Sequence, residues 1–442
     1  VRAYNMVQHS DLFSREERSQ LDSLLKDNFM EFLTGPDLQW MMLFNRPYES
    51  LVVMNRHSIA PWMADLTLAD FLAKNVALTD DEQQIVRYRR EEKHEFMKYW
   101  AANTFNVSLP RNLYAGSEEE VIASLFRYAL SNEQYALFNS GNARKALRLW
   151  EMSPVRPSQN DDRLIAGILA SYYRDPGFVW LHRQMPEVKE HFQMRYVNGV
   201  HRYAPDTQWV AKEPMELTGV QITPLQRQDY LLWNAVKFKQ HRQPDFPAAE
   251  GAEKICFRSG FKPDDDFMLI SGLGDEVGNI SEFRSHGLPL LLRSNSSTFG
   301  AGSASYYDCN ALTVQRLDKW MQEERPYAGA ARLQALHNGG DHGSVIFSLS
   351  PFAGCHWQRT VIWLKKGLYL VRDRVTALEN GEYLFRIGCR PQGIPDFTGN
   401  LWTGANGKHN FYLTSLGKDF KVVENLADYR SGKAPFPKYH HS

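Results

Sequence analysis

The chain has 442 residues, and its 51 Lys+Arg balance 51 Asp+Glu to a formal charge of zero. A neutral chain lacks the basic excess that phosphate backbones demand, which argues against a nucleic-acid partner. Hydrophobic residues at 43% and charged residues at 23% exclude wholesale disorder, and no run approaches the roughly 18 consecutive apolar residues of a membrane span.

At about 150 residues per domain, this length predicts two or three domains. The opening stretch VRAYNMVQHSDLFS reads as the interior of a helical domain, so a lost signal peptide before it is the expectation. Residues 1–210 read as helices. Ser117-Glu118-Glu119-Glu120 has the form of a capping box, and Val121, Ile122, Leu125, Phe126 and Ala129 follow on one helical face. Asp161 and Asp162 precede Leu164, Ile165, Ile168, Leu169 and Tyr172 with the same spacing, and carboxylates suit a helix N-terminus. Gly35-Pro36, Pro110, Pro154, Pro157 and Pro176-Gly177 punctuate this half. Medium helices joined by short loops predict a layer of antiparallel helix pairs.

Residues 211–250 hold few periodic runs and end in RQPDFPAAEGAEK, a stretch whose prolines, glycine and charges read as a linker. Strands dominate residues 251–442. KICFRSGF, DFMLISGLG, LPLLLRS, ALTVQRL, SVIFSLS, RTVIWLKKG, LYLVRDRV and EYLFRIGCR are short, β-rich and bounded by turn residues. Lys365-Lys366-Gly367 and Glu379-Asn380-Gly381 both read as hairpin turns. Helices first and strands second is the α+β pattern, with an antiparallel sandwich as the expected second half. The chain stops at KYHHS without a clear closing strand, so this half reads as truncated. Cys256, Cys309, Cys355 and Cys389 form no CxxC pair, which speaks against a zinc knuckle or redox motif. Disulfides and buried thiols both remain open.

Several stretches, taken in order, resemble one family. VVMNRHSIAPWMADLTLADFLAKN looks like an Asn-x-His segment at the start of a helix. RPSQNDDRLIAGILASYYRDPGFVWL is similar to a segment that opens a helix and ends in a Trp-Leu pair. EKICFRSGFKPDDDFMLISGLG looks like first sandwich strands, and HWQRTVIWLKKGLYLVRDRVTA like a later hairpin with its Asp before a final valine. The set resembles the heparinase II/III-like polysaccharide lyases. The resemblance implies an N-terminal incomplete (α/α) toroid over residues 1–210, a linker over 211–250 and a C-terminal antiparallel β-sandwich over 251–442. It implies a secreted or periplasmic protein whose partner is an acidic polysaccharide. It leaves room for a homo-oligomer.

The chain departs from that family in one place. Where the family carries Gly-His-x-His-x-Asp-x-Asn, this chain reads Gly272-Leu273-Gly274-Asp275-Glu276-Val277-Gly278-Asn279-Ile280. The asparagine persists and both histidines are gone. Arg293-Ser294-Asn295 stands where the family tends to place an Asp, and Cys309-Asn310 replaces a His-Asn pair.

A uronate lyase removes the proton α to a carboxylate and expels the 4-linked sugar oxygen. It needs a base, an acid and a group that neutralises the carboxylate. By resemblance, His57 acts as base or touches the carboxylate, Asn55 holds the acid group, and Tyr114 lies in the region of the catalytic tyrosine. Each has a structural alternative, since histidines also cap helices and tyrosines pack as amphipaths. Trp62, with Trp180 and Trp209, offers aromatic faces to sugar rings, although large helical cores also use Trp. Asp162, Tyr307, Asp275 and Asn279 complete the expected substrate contacts. His356 resembles a family metal ligand, which makes zinc one cofactor reading. His337, Asp341 and His342 form a second polar cluster. Asp275 and Glu276 suit a hard cation such as calcium. Asp264-Asp265-Asp266 reads as a charged turn.

Three functions follow from this reading. The first is a polysaccharide lyase with an altered catalytic set. The second is a non-catalytic glycan-binding or assembly protein on the same fold. The third is a hydrolase using paired carboxylates such as Asp161, Asp162 or Glu133.

Overall fold

The structure is a computed structural model. It describes residues 11–34, 66–103, 125–144, 160–185, 204–225, 246–272, 277–291, 310–318, 330–389 and 396–416, apart from a few positions within them.

Helices α1 (Arg15–Thr34) and α2 (Asp80–Asn103) each open on a reciprocal cap. Ser14 Oγ accepts from the Glu17 amide at 3.2 Å, and the Glu17 carboxylate accepts from the Ser14 amide at 2.8 Å. Thr79 and Glu82 make the same exchange at 3.3 and 2.8 Å. Each box satisfies two amides that the helix start would leave open. The box read at Ser117 lies outside the described residues.

A single turn, α3 (Ala136–Asn139), precedes α4 (Asn160–Tyr173) and α5 (Pro176–Gln184). The apolar face read on α4 is buried: Leu164, Ile165, Ile168 and Leu169 join Phe126, Phe138, Phe178 and Leu181 in one helical core. Arg174 then takes the left-handed backbone at φ 55°, and Asp175 caps α5 by accepting from the Gly177 amide at 2.8 Å. Pro176 fills the first helical position, where its missing N–H costs no bond. Pro176-Gly177 therefore starts a helix as well as ending one.

The largest sheet is antiparallel throughout. Its strands are β1 (Gly219–Pro224), β2 (Gly251–Arg258), β3 (Phe267–Ser271), β4 (Ile280–Ser285), β5 (Leu288–Leu291), β7 (Ala331–Asn338), β8 (His342–Phe352), β9 (Cys355–Leu364) and β10 (Leu368–Ala377). The order is β10-β9-β8-β7-β2-β3-β4-β5, with β1 added on β2. Strand β1 pairs along nearly all of β2, so the sheet takes in part of the stretch read as a linker. Two small sheets complete the strand half: β6 (Leu312–Arg316) with β11 (Tyr383–Ile387), and β12 (Asp396–Thr398) with β13 (Leu401–Asn406) and β14 (His409–Thr414). Leu312, Val314, Tyr383 and Phe411 pack with Phe257, Phe283, Trp357 and Trp363 of the large sheet in a second core.

The turn read at Lys365-Lys366-Gly367 falls where β9 passes into β10, with Leu364 opposite Leu368. The Asn380-Gly381 turn does not join neighbours in one sheet. It carries the chain from β10 to β11, which pairs with β6. Arg316 explains the crossing. Its guanidinium donates to both Asp318 oxygens at 2.8 and 2.6 Å, to Glu379 at 2.6 Å and to the Asn380 carbonyl at 3.1 Å. Cys256 and Cys355 are buried free thiols, and Cys389 is a free thiol too.

Helices and sheet meet at the β2–β3 turn. Phe261 inserts into the helical core, edge-on to Trp180 at 6.2 Å between ring centroids. Its amide donates to Glu213 at 2.9 Å. Asp264-Asp265-Asp266 in this turn divides its labour. Asp265 accepts from the Lys262 amide at 2.7 Å, whereas Asp266 is buried and accepts from Ser285 at 2.5 Å and the Trp363 indole at 3.3 Å.

His182 on α5 is buried in the helical part. Burial, then the Arg163 and Arg183 charges, hold its imidazole down to about 4. The unfolded chain thus binds more protons than the folded one between about pH 6.5 and about pH 4. The contribution of His182 is complete above that window and is lost as the pH falls through it. Its size is on the order of 3 kcal/mol. Urea titrations across this window should show the parent losing more stability on acidification than His182→Phe. Parallel pH profiles for the two proteins would refute the assignment.

Candidate functional site

The stretch that departs from the family pattern lies between β3 and β4. Both of its ends are pinned. At the start, the Gly272 amide donates to the Glu253 carbonyl at 2.6 Å, and the Gly272 carbonyl accepts from Ala331 at 2.7 Å. A Cβ at Gly272 would overlap the Ala252 carbonyl, so only glycine fits. At the finish, Gly278 sits at φ +81°, and a Cβ there would enter the Trp357 ring.

One buried ion pair fixes this finish. Arg359 on β9 meets Asp373 on β10 through two parallel bonds, Nε–Oδ1 at 2.7 Å and Nη2–Oδ2 at 2.8 Å. The remaining Arg359 nitrogen, Nη1, donates to the Gly278 carbonyl at 2.6 Å. The Trp357 indole donates to Asp373 at 2.8 Å. The side chains of Arg359 and Asp373 are 2% and 7% exposed, so the pair works in a dry environment. Arg359 also lies over the Trp357 ring at 4.9 Å.

Asn279 is wholly buried. Its Oδ1 accepts from the Asn310 amide at 2.7 Å, while the Asn310 side chain donates to the Ile280 carbonyl at 3.0 Å. The Ile280 amide returns to the Asn310 carbonyl at 3.1 Å. Here Asn279 clamps the start of β4 to the segment leading into β6. His356 stands opposite Thr376 on β9, half-buried, on the face turned away from Trp357. Asp162 lies on α4, with its side chain outside the described residues, and Asn55, His57, Trp62, Tyr114, Tyr307 and Asp275 lie wholly outside them. Trp180 and Trp209 pack against the helical core, with the Arg174 guanidinium 3.7 Å from the Trp209 ring. His337 and His342 stack at 4.5 Å across the β7–β8 hairpin. Among the described residues, no three His, Cys, Asp or Glu side chains converge to hold a metal ion.

The helical part contains a polar group that sequence reading missed. His94 on α2 lies between Tyr128 and Asp70. Its Nδ1 is 3.0 Å from the Tyr128 hydroxyl, and its Nε2 is 3.6 Å from Asp70 Oδ1. Arg90, one helical turn before His94, pairs with the same Asp70 oxygen. The Tyr128 hydroxyl also approaches the His94 carbonyl at 3.1 Å, within donating distance. Burial, then the Glu95 and Asp70 charges, push Tyr128 up to about 12. Tyr128 therefore keeps its proton even well above neutral pH, and it orients the His94 ring. The available signal was the Arg90–His94 spacing on one face of α2.

No family model matches this chain, and no curated protein matches it. Among solved structures it is similar to the heparinase III BT4657 gene product with methylated lysines, at 10% identity and a TM-score of 0.49. That match covers 92% of this chain and 61% of the other, so the chain spans less than two thirds of that protein's length. It is also similar to the heparan sulfate lyase HepC from Pedobacter heparinus, at 14% identity and a TM-score of 0.36, covering 93% of this chain and 71% of that one.

Removing one partner of a buried ion pair leaves the other charge stranded. Asp373→Ala should cost about 3–5 kcal/mol in urea unfolding. Gly278→Ala should destabilise as well, because it needs both a left-handed alanine and a displaced Trp357. Wild-type midpoints for both variants would show that the loop is not anchored in this way.

Proposed function

We propose that the chain is a polysaccharide lyase-like protein acting on a uronic-acid-containing glycan by β-elimination, with an altered catalytic set. In this reading residues 1–210 form the toroid, 211–250 the linker and 251–442 the sandwich, and the protein works outside the cytoplasm. The observation that carries the reading is the ordered set of family-like stretches, from the Asn55–His57 segment to the β9–β10 hairpin. The buried Asp373 of that hairpin supports it, because Arg359 uses this Asp to hold the loop that ends at Gly278.

In this reading the acid–base chemistry falls to the helical half. His57 takes the proton α to the uronate carboxylate as the C4–O bond breaks and the C4–C5 double bond forms. Tyr114 returns a proton to the departing oxygen, and Asn55 holds the carboxyl group as charge develops on it. Trp62 and Tyr307 offer aromatic faces to the sugar, and Asp162 and Asp275 pair with its hydroxyls. Asn279 is the substrate contact nearest the loop's end, and its side-chain oxygen also accepts from the Asn310 amide. His356 is the residue that would serve a zinc ion, and Asp275 a calcium ion.

A second reading, a glycan-binding protein without chemistry, is favoured by one observation. The loop between Gly272 and Ile280 lacks both histidines of the family pattern.

Incubation with alginate, heparan, chondroitin and ulvan-like polymers separates the two. A lyase generates ultraviolet absorbance from the new double bond, and His57→Ala should then slow turnover by at least ~10²-fold. Binding without absorbance on every polymer would establish the second reading. New reducing ends without absorbance would point instead to hydrolysis by carboxylates. An unchanged rate for His57→Ala would remove His57 from the acid–base set.

A further inference from the structure

Strands β7 to β10 present a second face whose chemistry the lyase reading does not use. Side chains alternate along β10, so Asp373 turns inward to Arg359 while Arg372 and Arg374 turn to the other side, both exposed. The register extends this face across the sheet. Arg374 lies beside Gln358, Gln358 beside Ser348, and Ser348 beside Arg332. The Gln358 amide donates to Gln334 Oε1, and the Gln334 amide donates to Ser348 Oγ at 3.0 Å. Arg372 and Thr360 form the next row on one side, and Thr376 and His356 the next row on the other.

The charges on this face are one-sided. Asp373 is the only carboxylate on β7, β8, β9 and β10, and it is committed to Arg359 and Trp357. Arg332 at the far end is satisfied by Glu250 at 2.8 Å. Among the described residues, Arg372 and Arg374 make no ion pair.

We propose that this outer face of β7–β10 is a docking surface for a polyanionic glycan, centred on Arg372 and Arg374. Two residues along a strand separate their Cα atoms by about 7 Å, and the polar row crosses the sheet over roughly 15 Å. Planar guanidinium groups bind carboxylates and sulfates through paired bonds. The amides of Gln334 and Gln358 and the hydroxyls of Thr360 and Thr376 suit sugar hydroxyls. The face offers no Phe, Tyr or Trp ring on which a base could stack, which disfavours a single-stranded nucleic acid. Beyond Arg372 the face becomes apolar at Leu370, Leu368 and Leu364, which bounds the patch. Among the described residues, strand β10 ends the sheet, which leaves room for a long polymer to run past that edge. Docking there raises the local concentration of chain near any cleaving site. It does not depend on elimination chemistry, so a protein that binds but never cleaves would sink the lyase reading and leave this one standing.

The test measures binding of the full chain to immobilised heparin and alginate at increasing salt. Arg372→Gln/Arg374→Gln should weaken binding about tenfold and flatten its salt dependence. Arg87→Gln, an exposed change of the same charge on α2, should leave binding unaltered. Each single substitution should give a smaller loss in the same direction, which keeps the test decisive if the double variant folds poorly. Parent-like binding by the arginine variants would overturn the proposal. So would an equal loss from Arg87→Gln, or single-stranded DNA competing as well as heparin in an Arg372- and Arg374-dependent manner.

Discussion

The strand half depends on one dry ion pair. Arg359 and Asp373 face each other on neighbouring strands, and three further groups converge on them: the Trp357 indole, the Gly278 carbonyl and, through Gly278, the start of β4. Burying a charge is costly unless its hydrogen bonds are completed. Here they are completed by exact register, so a slip of one residue between β9 and β10 would place Asp373 in water and leave Arg359 stranded. Because the pair cannot slip, the loop finish at Gly278 cannot drift. The same alternation that sends Asp373 inward sends Arg372 and Arg374 outward, so one strand sets both the anchor and the cationic face.

The helical half solves its polar problem differently. Asp70, Arg90, His94 and Tyr128 form a chain of partners that is only partly buried, where Tyr128 keeps its proton and His94 keeps its orientation. The two halves join where Phe261 and Glu213 meet Trp180. That junction is at the Arg258–Phe267 end of β2 and β3. The stretch from Gly272 to Gly278 is at the other end of β3, about 17 Å away along the strands.

Much of the fold was readable from patterns of local origin. The apolar face of α4 came from helical spacing, and each β-rich stretch singled out along residues 254–390 contains a strand. The Lys365-Lys366-Gly367 turn was readable because both of its strands follow at once. The turn at Asn380-Gly381 was misread because its local chemistry is that of a hairpin, while Arg316, far earlier in the chain, decides where the strand goes. Within that range strands β4 and β7 escaped notice, as did β1 before it and β12 to β14 after it. Strand β4 carries Ser281, Glu282 and Arg284, whose burial is set by partners on other strands.

The candidate site was less legible. Asn279 reads as a substrate contact from its place in a motif, and only the fold shows its side-chain oxygen accepting from the Asn310 amide. Composition and spacing determined the broad order of helices before strands. Those properties are sums and short-range periods, which a sequence carries in full. The partnership of Arg359 with Asp373, the left-handed Gly278 against Trp357, and the carboxylate-free outer face are pairings across strands. They exist only once register and curvature bring distant residues together, and so tertiary structure alone decided them.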